Sequence, residues 1–285
     1  NAIKKYNPDY IIQECAGFET GIIAFTAKIL KIPFIYRVAN DIDTDDRIKK
    51  RLNYRQRIFF HYGLRNTSAI VCQNEYQYEK INEKFQTTPK LIIGNPFYSN
   101  EELPPIVAHK KRSYVAWIGI FQYQKNLPLL YEIVKMMPNV KFKIAGKAVS
   151  KNQDLNTEKA LKKLCGCVNV QFIGFLKRKE VLPFLARSYV LLNTSFYEGF
   201  SNTYIESLAA GTPILANINA EPDSIISDNG LGISVKSSDE YVGAIDSIIK
   251  NEHYNAMAKN CREFLIQNHG ASKLAKKFIR FLSSI

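Results

Sequence analysis

The sequence predicts an α/β fold of two domains, each built on a parallel sheet. Three observations carry that reading. Short apolar runs recur along the chain and each is followed by a helical segment, the pattern of βαβ units. Two series of such units flank a stretch containing Pro104 and Pro105, the kind of segment that joins domains. From residue 189 to 216, YVLLNTSFYEGFSNTYIESLAAGTPILA, one strand–loop–helix–strand unit can be followed residue by residue. The expected layout is a first domain over 1–108 that includes the linker, a second over 109–270, and a closing helix over 271–285.

Bulk properties narrow the class. A chain of 285 residues holds one large or two modest domains. With 46% hydrophobic and 23% charged residues it has an ordinary soluble composition. No apolar run is long enough for a transmembrane helix, and no signal peptide is visible. Five cysteines are an odd number for a disulfide framework. Cys165 and Cys167 have no second pair or His cluster beside them, which argues against a metal site. Reduced thiols predict a cytoplasmic location, with peripheral attachment to the inner face of the membrane compatible. The chain passes from Asn1 straight into an apolar strand, so the start of the first domain is expected to be missing. The net charge of +13 serves solubility or attracts an anionic surface: membrane, polyanion or nucleic acid. No aromatic-basic motif of a nucleic-acid module is present, so nucleic acid is not expected as a partner.

Taken in order, 10–15 is a strand, 19–30 a mostly apolar helix and 34–39 the next strand. The acidic loop NDIDTDD, 40–46, lacks the Gly and the distal Glu of a calcium loop, so solvated helix-capping residues are expected there. A basic helix follows over 44–64. From Arg47 to Arg65 there are seven Lys/Arg and no acid. Ile48, Leu52, Arg55, Phe59 and Tyr62 lie at three- and four-residue steps, a stripe suited to the sheet. The basic remainder suits solvent, and is also compatible with contact to an anionic membrane. Strands at 69–73 and 91–93 close the first domain, and Asn95-Pro96 ends it. The second domain opens at Tyr114. Gly119 is followed by Lys125 and Asn126, with a helix from about 127. Strands at 141–146 and 170–174 follow, and helices run from Ser238 to the end.

In the central stretch, 189–192 reads as a buried strand and 193–201 as a loop. Thr203 can cap the next helix, Glu206 stands three residues later as in a capping box, and Gly211 with Pro213 ends it. A buried strand starts at 213. Ligands of parallel α/β sheets bind beyond the carboxyl ends of the strands, where Glu198, Gly199, Ser201 and Asn202 fall. By spacing alone, Glu198 is a solvated loop acid and Glu206 a cap.

The stretch resembles the signature of retaining nucleotide-sugar glycosyltransferases of family 4, with two Rossmann-like domains in the GT-B fold. Ser195, Glu198, Gly199, Phe200, Ser201, Asn202, Glu206, Ala209, Gly211 and Pro213 match in register. The resemblance implies that Glu198 contacts the donor sugar and Glu206 the ribose hydroxyls. It also implies a donor site lined by Gly119, Lys125, Gly199, Phe200, Ser201, Asn202 and Thr203, with backbone N–H groups toward sugar and diphosphate. A helix start suits a diphosphate electrostatically. Lys125 matches one of the family's two diphosphate clamps, while Ile120 stands at the Arg position. Asn40 stands where many members carry His. Lys147 and Lys177 are candidates for charge near the donor, and fit surface lysines better. In this fold the last helix crosses back to the first domain.

The function so implied is transfer, with retention, from a UDP- or GDP-sugar to a saccharide or lipid-linked glycan in surface polysaccharide synthesis. Lys125 and Glu198 are the expected catalytic residues. No cofactor and no metal are required, and retention proceeds by front-face attack. Two rivals share these residues: a nucleotide-sugar 2-epimerase and a non-catalytic nucleotide-sugar-binding protein.

Overall fold

The computed structural model describes residues 2–98, 103–148 and 154–285. The chain divides into two compact units, Asn1–Asn95 with Ala271–Ile285, and Pro96–Gly270. Residues 96–98 and 103–108 therefore group with the second unit. They are tied there by the Phe97 N–H on the His269 carbonyl (2.7 Å) and by Arg262 on the Pro104 carbonyl (3.0 Å).

The first unit begins with a short helix, α1 (Ala2–Tyr6), rather than with the expected strand. Then come β1 (Ile11–Glu14), α2 (Phe18–Leu30), β2 (Phe34–Arg37), α3 (Ile48–Arg51), α4 (Tyr54–Arg65), β3 (Ala69–Cys72), α5 (Glu75–Lys84) and β4 (Lys90–Ile92). The four strands pair in sequence order, all parallel. β2 and β3 read as unbroken apolar runs because both faces of the sheet are covered. Alternation divides them cleanly. Phe34, Tyr36, Ile70 and Cys72 pack with α2 and α4, whereas Ile35, Ala69 and Val71 pack with the closing helix of the chain.

The basic helix is not one helix. Leu52 is extended, and Asn53 restarts the chain as α4 with a capping box. The Asn53 side chain accepts from the Gln56 N–H (3.0 Å), and the Gln56 side chain accepts from the Asn53 N–H (2.9 Å). The restart changes the phase of the stripe. Ile48 and Leu52 are buried as expected, but in α4 Phe60, Gly63 and Leu64 go inward while Arg55 and Phe59 are exposed. Gly21 and Gly63 let α2 and α4 touch. A Cβ on Gly21 would lie 2.4 Å from the Phe59 carbonyl oxygen, and one on Gly63 2.7 Å from the Thr20 methyl.

The second unit holds β5 (Tyr114–Phe121), α6 (Leu127–Met136), β6 (Phe142–Ala148), α7 (Leu155–Cys165), β7 (Val170–Gly174), α8 (Arg178–Ala186) and β8 (Ser188–Leu192). It continues with α9 (Asn202–Ala209), β9 (Ile214–Asn217), α10 (Ile225–Asp228), β10 (Gly232–Val235), α11 (Ser238–Ile249) and α12 (Tyr254–His269). Its six parallel strands run β10-β9-β8-β5-β6-β7. Val115, Trp117, Ile144, Val190, Leu192 and Leu215 fill one face, and Tyr114, Ala116, Ala145, Leu191, Ile214 and Ala216 the other. Gly211 ends α9 in the left-handed region (φ +62), as helix C-termini favour.

Buried Arg112 clamps the amino ends of β5, β8 and β9. It donates to the carbonyls of Val107 (3.1 Å), Ser188 (2.7 Å) and Gly211 (2.9 Å) and to the Thr212 hydroxyl (2.8 Å). Its guanidinium lies 4.8 Å from the Tyr254 ring centroid. Carbonyl dipoles and a π face take the place of a carboxylate there.

The closing helix α13 (Ala271–Leu282) belongs to the first unit. Leu274, Phe278, Phe281 and Leu282 cover the sheet, and Lys277 donates to the Ile92 carbonyl (2.8 Å). All five cysteines are free thiols. No helix among the described residues is long and apolar enough to cross a membrane.

Candidate active site

In the second unit the chain order reverses direction across the sheet between β5 and β8. That makes the carboxyl ends of these two strands a topological switch point, where open α/β sheets bind ligands. Beyond β5 the chain makes a 3-10 turn, Tyr123–Lys125, then Asn126 in the left-handed region (φ 48). The Asn126 side chain caps α6 by accepting from the Leu129 N–H. Lys125 is thereby held at the rim. Beyond β8 lies the loop of Asn193, Thr194, Ser195 and Glu198.

The two loops are stitched together. The Phe196 N–H donates to the Gln124 carbonyl (2.9 Å), and Gln124 Nε2 to the Tyr197 carbonyl (2.9 Å). Thr194 Oγ1 donates to the Lys125 carbonyl (2.7 Å) and accepts from Trp117 Nε1 (3.1 Å). Across this seam Lys125 Nζ meets Glu198 Oε1 at 2.5 Å. The same oxygen accepts from Ser195 Oγ (2.7 Å) and Asn193 Nδ2 (3.4 Å), while Oε2 accepts from Gln124 Nε2 (3.3 Å). Asn193 is itself fixed, its carbonyl accepting from Tyr241 Oη (2.9 Å). Glu198 is therefore not the solvated acid that spacing suggests. It is buried, 6% exposed, and its charge is compensated inside the protein. Lys125 and Glu198 are brought into direct contact across 73 residues of sequence.

Glu206 is also no cap. Ser201 is the N-cap of α9 and makes no side-chain cap bond, so Glu206 falls beyond the position of a capping-box acid. The Ser201 and Thr203 hydroxyls hydrogen-bond each other (2.9 Å) instead. The Glu206 carboxyl makes no hydrogen bond or ion pair among the described residues. Burial pushes it up to about 6, with Arg178 acting in the opposite direction. A carboxyl that is half-buried yet unpartnered is a costly feature to maintain without a ligand.

The remaining candidates divide. Phe200 turns into the core, its ring 4.7 Å from that of His269, and so anchors the loop. Gly199 is buried, Asn202 exposed and Thr203 half-buried at the start of α9. Gly119 has a packing reason to be glycine, since a Cβ there would sit 2.9 Å from the Trp117 ring. Ile120 is 46% exposed. Lys147 lies over the Phe175 ring (5.1 Å), and the Lys177 N–H donates to the Glu180 carboxylate (2.7 Å).

In the first unit Asn40 caps the 3-10 turn Asp41–Asp43. The acids of that loop all bind protein groups; Asp41, Asp43 and Asp45 are buried or partly buried rather than solvated, and Asp46 stands exposed as expected. Asp41 accepts from Asn74 and Gln77, Asp43 pairs with Arg51, Asp45 with Arg47 and Tyr76, and Asp46 with Lys49. No group of three or more His, Cys, Asp or Glu suited to a metal occurs among the described residues.

Reading the sequence passed over Gln124, Asn193, Trp117, Thr194 and Arg178. Gln124 and Asn193 stand one residue from Lys125 and one from a strand end, which is a weak signal. That Arg178 acts on Glu206 has no local signature at all.

Comparison with known proteins gives the family and the fold. The family described as glycosyl transferases group 1 matches residues 99–283. The lipopolysaccharide core biosynthesis glycosyltransferase LpsE of Rhizobium meliloti (strain 1021) is 24% identical over 228 residues, 77% of this chain and 65% of LpsE. The chain thus spans just under two thirds of that relative. Anabaena Alr3699/HepE in complex with UDP and glucose superposes with a TM-score of 0.80 at 16% identity, covering 99% of this chain and 80% of that one. Sucrose-phosphate synthase from Thermosynechococcus elongatus gives a TM-score of 0.81 at 16% identity, covering 99% and 75%. The fold is of the GT-B class, with two Rossmann-like parallel-sheet units.

Proposed function

The chain belongs to the family of glycosyl transferases group 1, and we propose that it transfers a sugar with retention from a nucleotide diphosphate sugar, UDP- or GDP-linked, to a saccharide or lipid-linked glycan. In this reading it is a family 4 enzyme of surface polysaccharide synthesis, acting in the cytoplasm or on the inner membrane face. The observation that carries the reading is the Lys125–Glu198 pair at the switch point of the second unit's sheet. The complex of Anabaena Alr3699/HepE with UDP and glucose supports the donor class.

Lys125 is the clamp on the donor diphosphate. Without donor it is neutralised by Glu198, which lowers the cost of burying both. Ser195, Asn193 and Gln124 hold the Glu198 carboxylate as well. It therefore keeps its place when Lys125 turns to phosphate, and it accepts hydrogen bonds from hydroxyls of the sugar. Glu206 accepts the ribose hydroxyls, a partner that suits an unpaired carboxylate. The start of α9 faces the diphosphate with its unpaired N–H end.

The bond that breaks joins the anomeric carbon to the β-phosphate oxygen. The bond that forms joins the same carbon to the acceptor oxygen on the same face. The acceptor proton passes to the departing phosphate, and the negative charge growing there is stabilised by Lys125 and the helix start. No step needs a divalent ion.

Calorimetric titration with UDP- and GDP-sugars, followed by NMR of the product anomer, tests the proposal. Binding of one donor with transfer to a retained anomer is expected. An inverted product would refute the mechanism. Absence of nucleotide diphosphate binding would refute the site.

A further inference from the structure

The first unit carries a surface that sugar transfer does not use. α2 buries Thr20, Gly21, Ala24 and Ala27. Its opposite face presents Ile22, Phe25 and Ile29, which are 46%, 53% and 63% exposed and lie at helical spacing. α4 crosses beside it and exposes Tyr54 and Ile58, with Phe59 joining through the Phe18 ring at 4.1 Å. Neither α3 nor α4 contains an acid.

Tyr54 and Ile58 continue into a groove of about 350 Å³ bounded by α4, α5 and the turn before α3. Ile81 and Phe85 give it an apolar floor, and Arg57, His61, Arg65 and Lys84 line it. Three acids line it as well, and each is already engaged, Asp43 by Arg51, Asp45 by Arg47 and Tyr76, and Asp46 by Lys49. Lys84 donates to the Thr44 carbonyl (3.0 Å). Arg57, His61 and Arg65 have no ion-pair partner among the described residues. Burial, and then Lys84, Arg65 and Arg57, hold the His61 imidazole below its ordinary range. With the three acids already paired, Arg57 and Arg65 leave the groove with positive charge that no side chain among the described residues neutralises.

We propose that this face of the first unit docks on an anionic phospholipid bilayer, with a lipid phosphate seated among Arg57, His61, Arg65 and Lys84. The apolar stripe of α2 and α4 enters the headgroup boundary, and the flanking cations meet the phosphates. Stable peripheral binding takes two such signals together. The proposal is independent of the donor site, which lies in the other unit.

The test is co-sedimentation of the full chain with vesicles of pure phosphatidylcholine and vesicles enriched in phosphatidylglycerol. Binding only to the anionic vesicles, falling with salt, is expected. Arg57→Ser with Arg65→Ser should weaken it about 25-fold, roughly fivefold per cation. Phe25→Ser should weaken it at unchanged charge. All three positions are at least partly solvent-exposed, so thermal melts of the variants should match the parent. Equal binding to neutral vesicles, or parental binding by the double Arg variant, would overturn the proposal. Release by millimolar inorganic phosphate with Phe25→Ser indistinguishable from parent would reassign the groove to free phosphate. Self-association lost in Phe25→Ser, without vesicle binding, would reassign the face to a second copy of the chain.

Discussion

Replacing Glu206 by Gln should stabilise the protein at neutral pH while weakening nucleotide binding. Burial raises the Glu206 carboxyl from 4.5 to about 6. Above that pH the group is ionised in both folded and unfolded states. Its desolvation then costs the fold on the order of 2 kcal/mol, at 1.36 kcal/mol per pH unit. The sign follows from proton counting. Between about 4.5 and 6 the folded state binds more protons than the unfolded one, so this group's contribution is fully present below the unfolded value and is lost as pH rises through about 6. Gln removes the charge but leaves a half-buried amide that costs about 1 kcal/mol itself. The net gain is therefore about 1 kcal/mol, or roughly 2–4 °C in Tm. Urea unfolding of both proteins at about pH 7.5 and about pH 4 measures it. The gain should be present at the higher pH and absent or reversed at the lower. The difference between the two proteins isolates Glu206 from groups of opposite sign such as Asp45, whose carboxyl is held low, against its burial, by hydrogen bonds from Arg47 and Tyr76. Nucleoside diphosphate affinity should fall about ten- to a hundredfold, the worth of hydrogen bonds to a charged group. A Gln variant less stable than the parent at neutral pH would show that the carboxylate has a structural partner. Unchanged nucleotide affinity would remove Glu206 from the donor site.

Lys125→Ala should lower turnover about a hundredfold and also destabilise the fold by about 3 kcal/mol, because Glu198 is left buried without its countercharge. Adding Glu198→Gln should restore the melting temperature but not turnover; recovery of both would show that the pair is purely structural. Arg112→Leu should lower stability by about 3 kcal/mol or more, since four oxygens lose a charged donor, and a melt within a degree of the parent would contradict that clamp. Treatment with EDTA should leave transfer intact, and activity lost to EDTA but restored by Mg²⁺ or Mn²⁺ would point to a metal role.

What the sequence determined by itself is what local signals specify. Apolar runs such as FIYR and AIVC mark buried parallel strands, because covering both faces of a sheet leaves no polar side to alternate. Gly211 marks the end of α9 because its φ of +62 suits glycine. The register from Ser195 to Pro213 pointed to a glycosyltransferase, and the match over 99–283 bears out membership of the glycosyl transferases group 1. The break at Asn53 was also local, an Asn-x-x-Gln box, but it was hidden beneath the run of basic residues that invited one continuous helix. Only the tertiary structure decided the rest. Spacing cannot reveal that Lys125 neutralises Glu198, because sheet order places β5 beside β8 although two strands and three helices separate them in sequence. Nor can it distinguish a solvated Glu198 from a buried one, or a capping Glu206 from an unpartnered one. Burial is set by how many other elements pack over a residue, and the energy of a charge depends on that burial more than on its neighbours in the chain.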